Sequence, residues 1–551
     1  MKKYGIYLAY PPTTDLRNEG LGRQLAEFLK AAQERGDIRF VIACPSWMRS
    51  SLADLFVSKS IHFDSFEFLS PTTKPLILAI YERYTAFKNR PNRRGVLLSV
   101  MPFFREQFAR VQIWAERKIV GTRSLASLLL LALSGIPILA VGVVSAALLL
   151  TILLPLYFFG RNMGIAAHKI FTFKALSDRI GLVLRQPKED SGVMRWYRLM
   201  LEAEISLLHD MINGRRDISA WYSPTAFWPH FHKIKAPRLM CVPDVVLADF
   251  PVGFAPLGGG RRLEAFRAIE QAIRGGEFFV TYSDEIKWRT LVHRYQVEHT
   301  AIHVIAHGAN RLDSLVTVSG FPDNETATET LCRNFFQSAL SKARGIANAG
   351  IYGGNEVRFL FYASQFRPNK NIISLLRAYE HLLKRRYIGH KLVLTGIPEM
   401  VPEVAQFILE HNLANDVLCL HGLSEYELAA CYRLADLAIN PSLSEGGCPF
   451  TFCEALSLGT PVVMARIAVT EEVITDPQLQ TLMFFDPYDW QDMAVRIEWA
   501  LQNLSMLKAQ QMPVYEKLIR RTWRTVVDEH IELLDRISTT APVAAIVENV
   551  H

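Results

Sequence analysis

The sequence predicts an α/β protein of two doubly wound domains facing each other across a cleft, with a hydrophobic membrane hairpin inserted in the first. Three observations predict it. Near the start, apolar Ile6 to Tyr10 gives way to a glycine turn at Gly20, Leu21 and Gly22, then to a helix with Leu25, Phe28, Leu29 and Ala32 on one face. Far downstream the same order returns: Leu434 to Ile439 reads as a buried strand, Pro441 ends it, Gly446 and Gly447 turn the backbone, and Phe452 to Leu458 has helical periodicity. Between the two, Leu125 to Phe159 carries no charge at all.

A chain of 551 residues exceeds one ordinary core and suits two domains plus an insertion. Its net charge of +7 is modest and its basic residues are scattered or flank the apolar run, so no nucleic-acid partner is expected. The seven cysteines show neither CxxC nor a metal-ligand spacing and read as reduced thiols in a reducing compartment. The apolar run at the start is too short for a signal peptide and fits a first strand.

The downstream loop carries two carboxylates, Glu445 and Glu454. Carboxylates serve phosphate badly, but they accept hydrogen bonds from the hydroxyls that sugars and riboses offer. An anion in the same cleft needs cations from elsewhere. Arg367 and Lys370 supply them, after strand-like Val357 to Phe361 and before a helix over Ile372 to Leu383. In an open α/β sheet, loops at the carboxyl ends of strands are where ligands bind, and a helix start presents free N–H groups to an anion.

The ordered series Arg367-Pro368-Asn369-Lys370-Asn371, Leu394-Thr395-Gly396, His421-Gly422-Leu423-Ser424, Pro441-Ser442, Glu445-Gly446, Glu454-Ala455 and Gly459-Thr460-Pro461 resembles the donor domain of glycosyltransferase family 4, the retaining GT-B enzymes. The resemblance covers roughly residues 356 to 500. Two departures stand out: one extra residue separates the glutamates, and Gln365 occupies the place where the family usually has an arginine. Arg367 is then the candidate replacement.

The implied domains are 1–310, an acceptor-side Rossmann-like domain holding an insertion over 71–200; 311–355, a linker with one helix around Leu331 to Ala347; 356–510, the nucleotide-sugar donor domain; and 511–551, a segment crossing back to the first domain. Further strands are expected at Phe40 to Cys44, Phe66 to Leu69, Ala220 to Pro224, Arg238 to Asp244, Phe278 to Ser283 and His303 to His307. Many family members carry His-Asp where Pro243-Asp244 stands, so Asp244 is kept as an acceptor-side residue and no general base is transferred to Pro243. His307 reads as a strand end and hinge residue.

The run from 125 to 159 is membrane-grade sequence. Strands before and after it belong to one domain, so both arms emerge on one side of a bilayer and an odd number of crossings is excluded. Arg105, Arg110, Arg117, Lys118 and Arg123 before it, with Arg161, Lys169, Lys174 and Arg179 after it, favour the cytoplasmic side for both. Two full passes need about 60 Å of helix and the run offers about 50 Å, so a re-entrant or monotopic hairpin broken at Gly135 to Pro137 is preferred. Ahead of it, Phe104, Phe108, Val111, Ala115 and Ile119 form an apolar stripe over 103–120 that suits a helix in the headgroup layer. Arg195 to Leu208 reads as an ordinary surface helix.

Together these readings imply a membrane-associated retaining hexosyltransferase on the cytoplasmic face of a bacterial inner membrane. Its substrates would be a nucleotide sugar and a lipid-linked or membrane-presented glycan acceptor. GDP-mannose is one donor, UDP-hexoses remain open, and so does a homo-oligomer. Arg367 and Lys370 would hold the diphosphate, opposite the amides of Gly20, Leu21 and Gly22; Glu445 would hold the hexose and Glu454 the ribose. Gly396, Gly422, Leu423, Gly446 and Gly447 complete the donor side. No Asp-x-Asp stands in a donor position, so no metal or other cofactor is expected. Another GT-B chemistry, a phosphorylase or an epimerase, and a non-catalytic membrane scaffold are the competing classes.

Overall fold

The computed structural model describes residues 1–12, 14, 16, 20–79, 81, 192–254, 260–344, 352 and 357–539. The expected hairpin over 125–159 and amphipathic helix over 103–120 lie outside these. Among the described residues no helix is long and apolar enough to cross a membrane.

Seven strands form the first sheet: β1 (Lys2–Tyr7), β2 (Ile38–Ala43), β3 (Phe66–Leu69), β4 (Trp221–Ser223), β5 (Arg238–Cys241), β6 (Phe278–Thr281) and β7 (Ile302–Val304). Their order is β3-β2-β1-β4-β5-β6-β7, with every pair parallel. Parallel strands need crossover connections and are covered on both faces, which is why they read as short continuous apolar runs. All but β3, which ends at Leu69 as expected, end earlier than the apolar signal. β1 stops at Tyr7, with Pro11 and Pro12 close behind, and Leu8 stays buried in the turn.

The second sheet holds β8 (Ala343–Arg344), β9 (Phe359–Tyr362), β10 (Lys391–Thr395), β11 (Val417–Leu420), β12 (Leu437–Asn440), β13 (Val462–Ala465) and β14 (Phe484–Phe485). Its order is β14-β13-β12-β9-β10-β11-β8, parallel except where β8 runs against β11. From β9 onward the connectivity repeats that of the first sheet. In each, the chain winds one way from a central strand and then restarts on its other side, which opens a crevice between β1 and β4 and another between β9 and β12.

The helices used below are α1 (Gly20–Arg35), α2 (Gly192–Asn213), α3 (Asn324–Leu340), α4 (Ile372–Arg385), α5 (Glu425–Leu434), α6 (Phe450–Ser457), α7 (Leu504–Leu518) and α8 (Trp523–Thr539). Two hydrophobic cores result. Helix α8 belongs to the first: Val526, Val527, Ile531, Leu534 and Ile537 pack with the β1–β7 core, and α8 lies along α1. Tyr4 Oη and Lys2 Nζ hydrogen-bond to Asp535, and Arg35 pairs with Asp528. The chain therefore crosses back, but after Leu518, since α7 still packs in the second core through Leu507 and Tyr515.

Two expected segments and one expected helix differ. The stretch 311–355, expected to be a linker, contributes Leu312, Val316, Cys332, Phe336 and Ala339 to the second core. The 71–200 insertion is narrower at both ends, because Ile77, Leu78, Tyr197 and Met200 pack in the first core. Helix α2 is no ordinary surface helix: Leu208 and Ile212 are buried, and buried Glu204 accepts a hydrogen bond of 2.8 Å from the Ser46 amide.

Candidate active site

Two loops leave neighbouring strands at the crevice of the second sheet: 363–371 after β9 and 441–449 after β12. The Leu443 amide donates to the Asn369 carbonyl at 2.8 Å, and Asn369 Nδ2 reaches the Ser444 carbonyl at 3.4 Å. Beneath them the hydroxyls of Tyr362 and Ser442 meet at 3.0 Å. Asn371 closes the first loop in the left-handed region at φ 54° and ties Nδ2 to the Pro487 carbonyl.

This bracing brings Lys370 Nζ to 2.5 Å from Glu445 Oε1, with each side chain 19% exposed. Burial disfavours the Lys370 charge, yet Glu445, with Tyr362 and Asp244 behind it, more than offsets this and holds the ammonium above its ordinary pKa. Asp244 lies across the cleft beyond β5. Burial pushes its carboxyl up to about 6; Glu445 and Asp249 add to the rise, and Lys370 and Arg367 oppose it. Arg367 Nη2 donates to Gln365 Oε1 at 2.7 Å, so the two residues at the departing family position share one hydrogen bond. Cys448, beside the pair, is pushed up to about 12 by burial and stays a thiol.

The 441–449 loop is also where the two domains meet. A Cβ on Gly446 would stand 2.0 Å from the Pro243 carbonyl oxygen, and one on Gly447 would stand 2.9 Å from Tyr282 Cβ. Ser283 Oγ donates to the Gly446 carbonyl at 2.9 Å. His307 Nε2 lies 2.8 Å from the Cys448 carbonyl and Nδ1 3.1 Å from that of Gly308. Burial lowers its pKa, and a neutral ring can donate to only one of these, so the shorter contact assigns the proton to Nε2. His307 is thus engaged in the domain seam. Glu472 accepts from the amides of Asp284 and Glu285, at 2.9 and 3.1 Å, on the opposite domain.

Glu454 stands in the second turn of α6 and is 2% exposed. Arg23 Nη1 donates to its Oε1 at 3.1 Å, and Asn310 Nδ2 approaches the same oxygen at 3.4 Å. Asn310 is held in turn by Trp523 Nε1 at 3.1 Å. Glu454 is the leading cause that raises the Arg23 pKa. Arg23, Asn310, Ser283 and Glu472 were not distinguished by sequence reasoning. The one available signal was position, since Arg23 directly follows the first glycine turn.

The other expected donor residues lie at turns and helix starts. Gly20 opens α1 where, among the described residues, a Cβ would meet nothing within 4 Å, Leu21 is half-buried, and Gly22 is packed so that a Cβ would stand 1.8 Å from the Leu16 carbonyl oxygen. This turn meets the second domain at Glu454, through Arg23. Gly396 lies under the Phe366 ring, 2.3 Å from where a Cβ would be, so it seats the 363–371 loop. Gly422, at φ 68°, turns the chain from β11 into α5 and gives its carbonyl to Lys342, while Leu423 packs on the second core. Among the described residues no group of three or more His, Cys, Asp or Glu is placed to hold a metal ion.

Residues 353–515 match the family model described as "Glycosyl transferases group 1". Among curated relatives, O-antigen chain mannosyltransferase B of Escherichia coli is 29% identical over 147 residues, 26% of this chain and 37% of that protein. MMP alpha-(1->4)-mannosyltransferase of Mycolicibacterium hassiacum is 34% identical over 117 residues, 21% of this chain and 28% of that protein. O-antigen chain mannosyltransferase RfbU of Salmonella typhimurium is 30% identical over 135 residues, 24% of this chain and 36% of that protein. The chain thus spans about a third of the length of the curated relatives it matches. Among solved structures, Anabaena HepE in complex with UDP and glucose superposes with a TM-score of 0.53 at 12% identity, over 97% of this chain and 100% of that one. A glycosyltransferase from Rickettsia africae gives 0.52 at 12%, over 98% and 99%. At such identity the likeness is one of fold. The chain carries a glycosyl transferases group 1 domain and has a GT-B-like arrangement of two facing parallel-sheet domains.

Proposed function

We propose that the protein is a retaining hexosyltransferase that moves a hexose from a nucleotide sugar to a lipid-linked or membrane-presented glycan acceptor. The observation that carries this reading is the Lys370–Glu445 pair at the crevice of a glycosyl transferases group 1 domain, facing Asp244 across the cleft. As the anomeric C–O bond of the donor breaks, negative charge grows on the diphosphate. Lys370 has two N–H groups left after its bond to Glu445, and with Arg367 it meets that charge in a site largely closed to water. Glu445, already anchored by Lys370, is placed to orient hexose hydroxyls, and Glu454 to take those of the ribose.

Two relatives, both O-antigen chain mannosyltransferases, support a surface glycan as product and GDP-mannose as the first donor to test. The complex of HepE with UDP and glucose keeps UDP-hexoses in the panel. The apolar run over 125–159 and the stripe over 103–120 favour an acceptor presented at the cytoplasmic face of the inner membrane. Among the described residues no side chain is assigned as a covalent nucleophile, and in this reading the leaving phosphate acts as base on the face it departs from, without a metal. The test is release of nucleoside diphosphate by the full chain from GDP-mannose and UDP-glucose in excess chelator, with and without lipid-linked oligosaccharide. Acceptor-dependent release supports the reading. Absence of binding to every nucleotide sugar overturns it.

A further inference from the structure

Glu454 presents an asymmetry that its place in α6 does not explain. Its Oε1 accepts from Arg23 at 3.1 Å and from Asn310 at 3.4 Å; among the described residues neither of these reaches Oε2, and the buried Tyr432 hydroxyl lies beside the carboxylate from its own domain. The side chain is 3% exposed, and a carboxylate so buried needs a counter-charge. Its ion-pair partner is Arg23, which comes from the opposite domain.

The local chain directs Arg23 there. Gly22 packs its bare α-carbon against the Leu16 carbonyl, which pins the first turn of α1 to the loop after β1. Arg23 then leaves that turn toward α6, with its side chain 28% exposed. Asn310 is pinned from behind by Trp523, the first residue of α8. Two segments of the first domain, the start of α1 and the corner at Asn310, thus reach one oxygen of the second domain, and the start of α8 braces the second of them.

We propose that Arg23 is a positioning residue for nucleotide recognition: by holding Oε1 of Glu454 across the closed seam, it presents Oε2 to the vicinal hydroxyls of the donor ribose. This rests on the reading of the protein as a nucleotide-sugar enzyme and deepens it. When the domains part, Arg23 leaves with the first domain and Glu454 loses its orienting partner. Ribose recognition is therefore complete only in the closed form, and the ribose reports closure to the site where the diphosphate is held. A hydroxyl bound to an oriented, charged acceptor is worth about tenfold or more in affinity.

The test measures binding of GDP and UDP, each against its 2′-deoxy counterpart, by calorimetry on the full chain. Wild type is expected to favour the ribonucleotide by about tenfold. Arg23→Gln should remove most of that preference while retaining binding through the diphosphate. Glu454→Gln should remove it to the same extent, and the double variant should lose no more. Arg23→Lys, which restores the charge without the planar fork, should recover part of it. If Arg23→Gln keeps the full preference, the arginine is only a domain contact and the proposal fails. If wild type binds neither nucleotide, the functional reading fails with it; if wild type binds both sugars equally, only the ribose assignment falls.

Discussion

Gly446 meets Pro243 so closely that a β-carbon on the glycine would lie 2.0 Å from the proline carbonyl oxygen. The atom in the way is backbone, so no rotamer change can yield space. Gly446→Ala is expected to hold the two domains apart at the one point where Glu445 must face Asp244. Misplacing a catalytic constellation by about 1 Å costs roughly a hundredfold in rate. Turnover of the nucleotide sugar should fall by about that factor while the second domain keeps its unfolding midpoint. Unaltered turnover would mean that catalysis does not use this closed contact.

In the proposed reading Lys370, paired with Glu445, is the cation that meets the donor diphosphate. Lys370→Ala removes the charge and also strands Glu445, half-buried, without its partner at 2.5 Å. Loss of one preorganised donor to a developing anion costs about 10²- to 10³-fold in kcat. Single-turnover release of nucleoside diphosphate measures this directly. Lys370→Arg should recover little, because a planar fork cannot occupy the place of a point charge pressed against a carboxylate. Activity within a few-fold of wild type in Lys370→Ala would remove this lysine from the mechanism.

Asp244 gives the site a pH dependence whose sign follows from its position. Burial lifts its pKa to about 6, with Glu445 and Asp249 raising it and Lys370 and Arg367 lowering it. Above about 6 the carboxylate competes with an incoming diphosphate for Lys370. Affinity for GDP-mannose, whose diphosphate does not titrate in this range, should fall several-fold as pH rises through that value, and Asp244→Asn should flatten the curve. Stability follows the same sign. The folded state binds the proton more tightly than the unfolded chain does, so this group's contribution is present below its ordinary pKa of about 3.9 and lost as pH rises through about 6. Asp244→Asn should therefore gain melting temperature over wild type between about pH 4 and 6 and keep that gain at pH 7, and a constant difference across this range would count against the shift.

Much of the fold was legible because parallel strands buried on both faces leave compact apolar words such as Phe359 to Tyr362 and Leu437 to Asn440, and because glycine turns mark where each becomes a helix. That Lys370 and Glu445 share one cleft was legible in the sequence; that they pair directly with each other was not. What stayed hidden are contacts between residues far apart in the chain. Nothing local to Arg23 announces a partner 431 positions away, and an isolated arginine reads as a solvated charge. Helix α2 misled for the opposite reason: Glu204 marks a polar face by sequence, yet it is buried because the Ser46 amide needs its oxygen. Gly396 and Gly422 were legible as glycines that matter, but not the Phe366 ring over the one or the left-handed turn at the other.

The last helix offers a test of which domain owns it. Leu534 lies in α8, at the far end of the chain, is fully buried, and packs in the core of β1 to β7. Leu534→Ala opens a cavity there at a cost of about 2–5 kcal/mol, a large share of the stability of one domain. Because α7 packs in the second core and α8 in the first, the cost should fall unevenly. In urea, the transition that exposes Trp221, which is buried in the first sheet, should move to lower denaturant. The transition around Trp490 and Trp499, packed against the second core, should stay where it is. Hydrogen exchange resolved by segment separates the two directly: faster exchange in β1, α1 and β4, with β9 and β12 unchanged, is the expected pattern. Equal destabilisation of both sheets would show instead that the domains unfold as one unit and that α8 couples them.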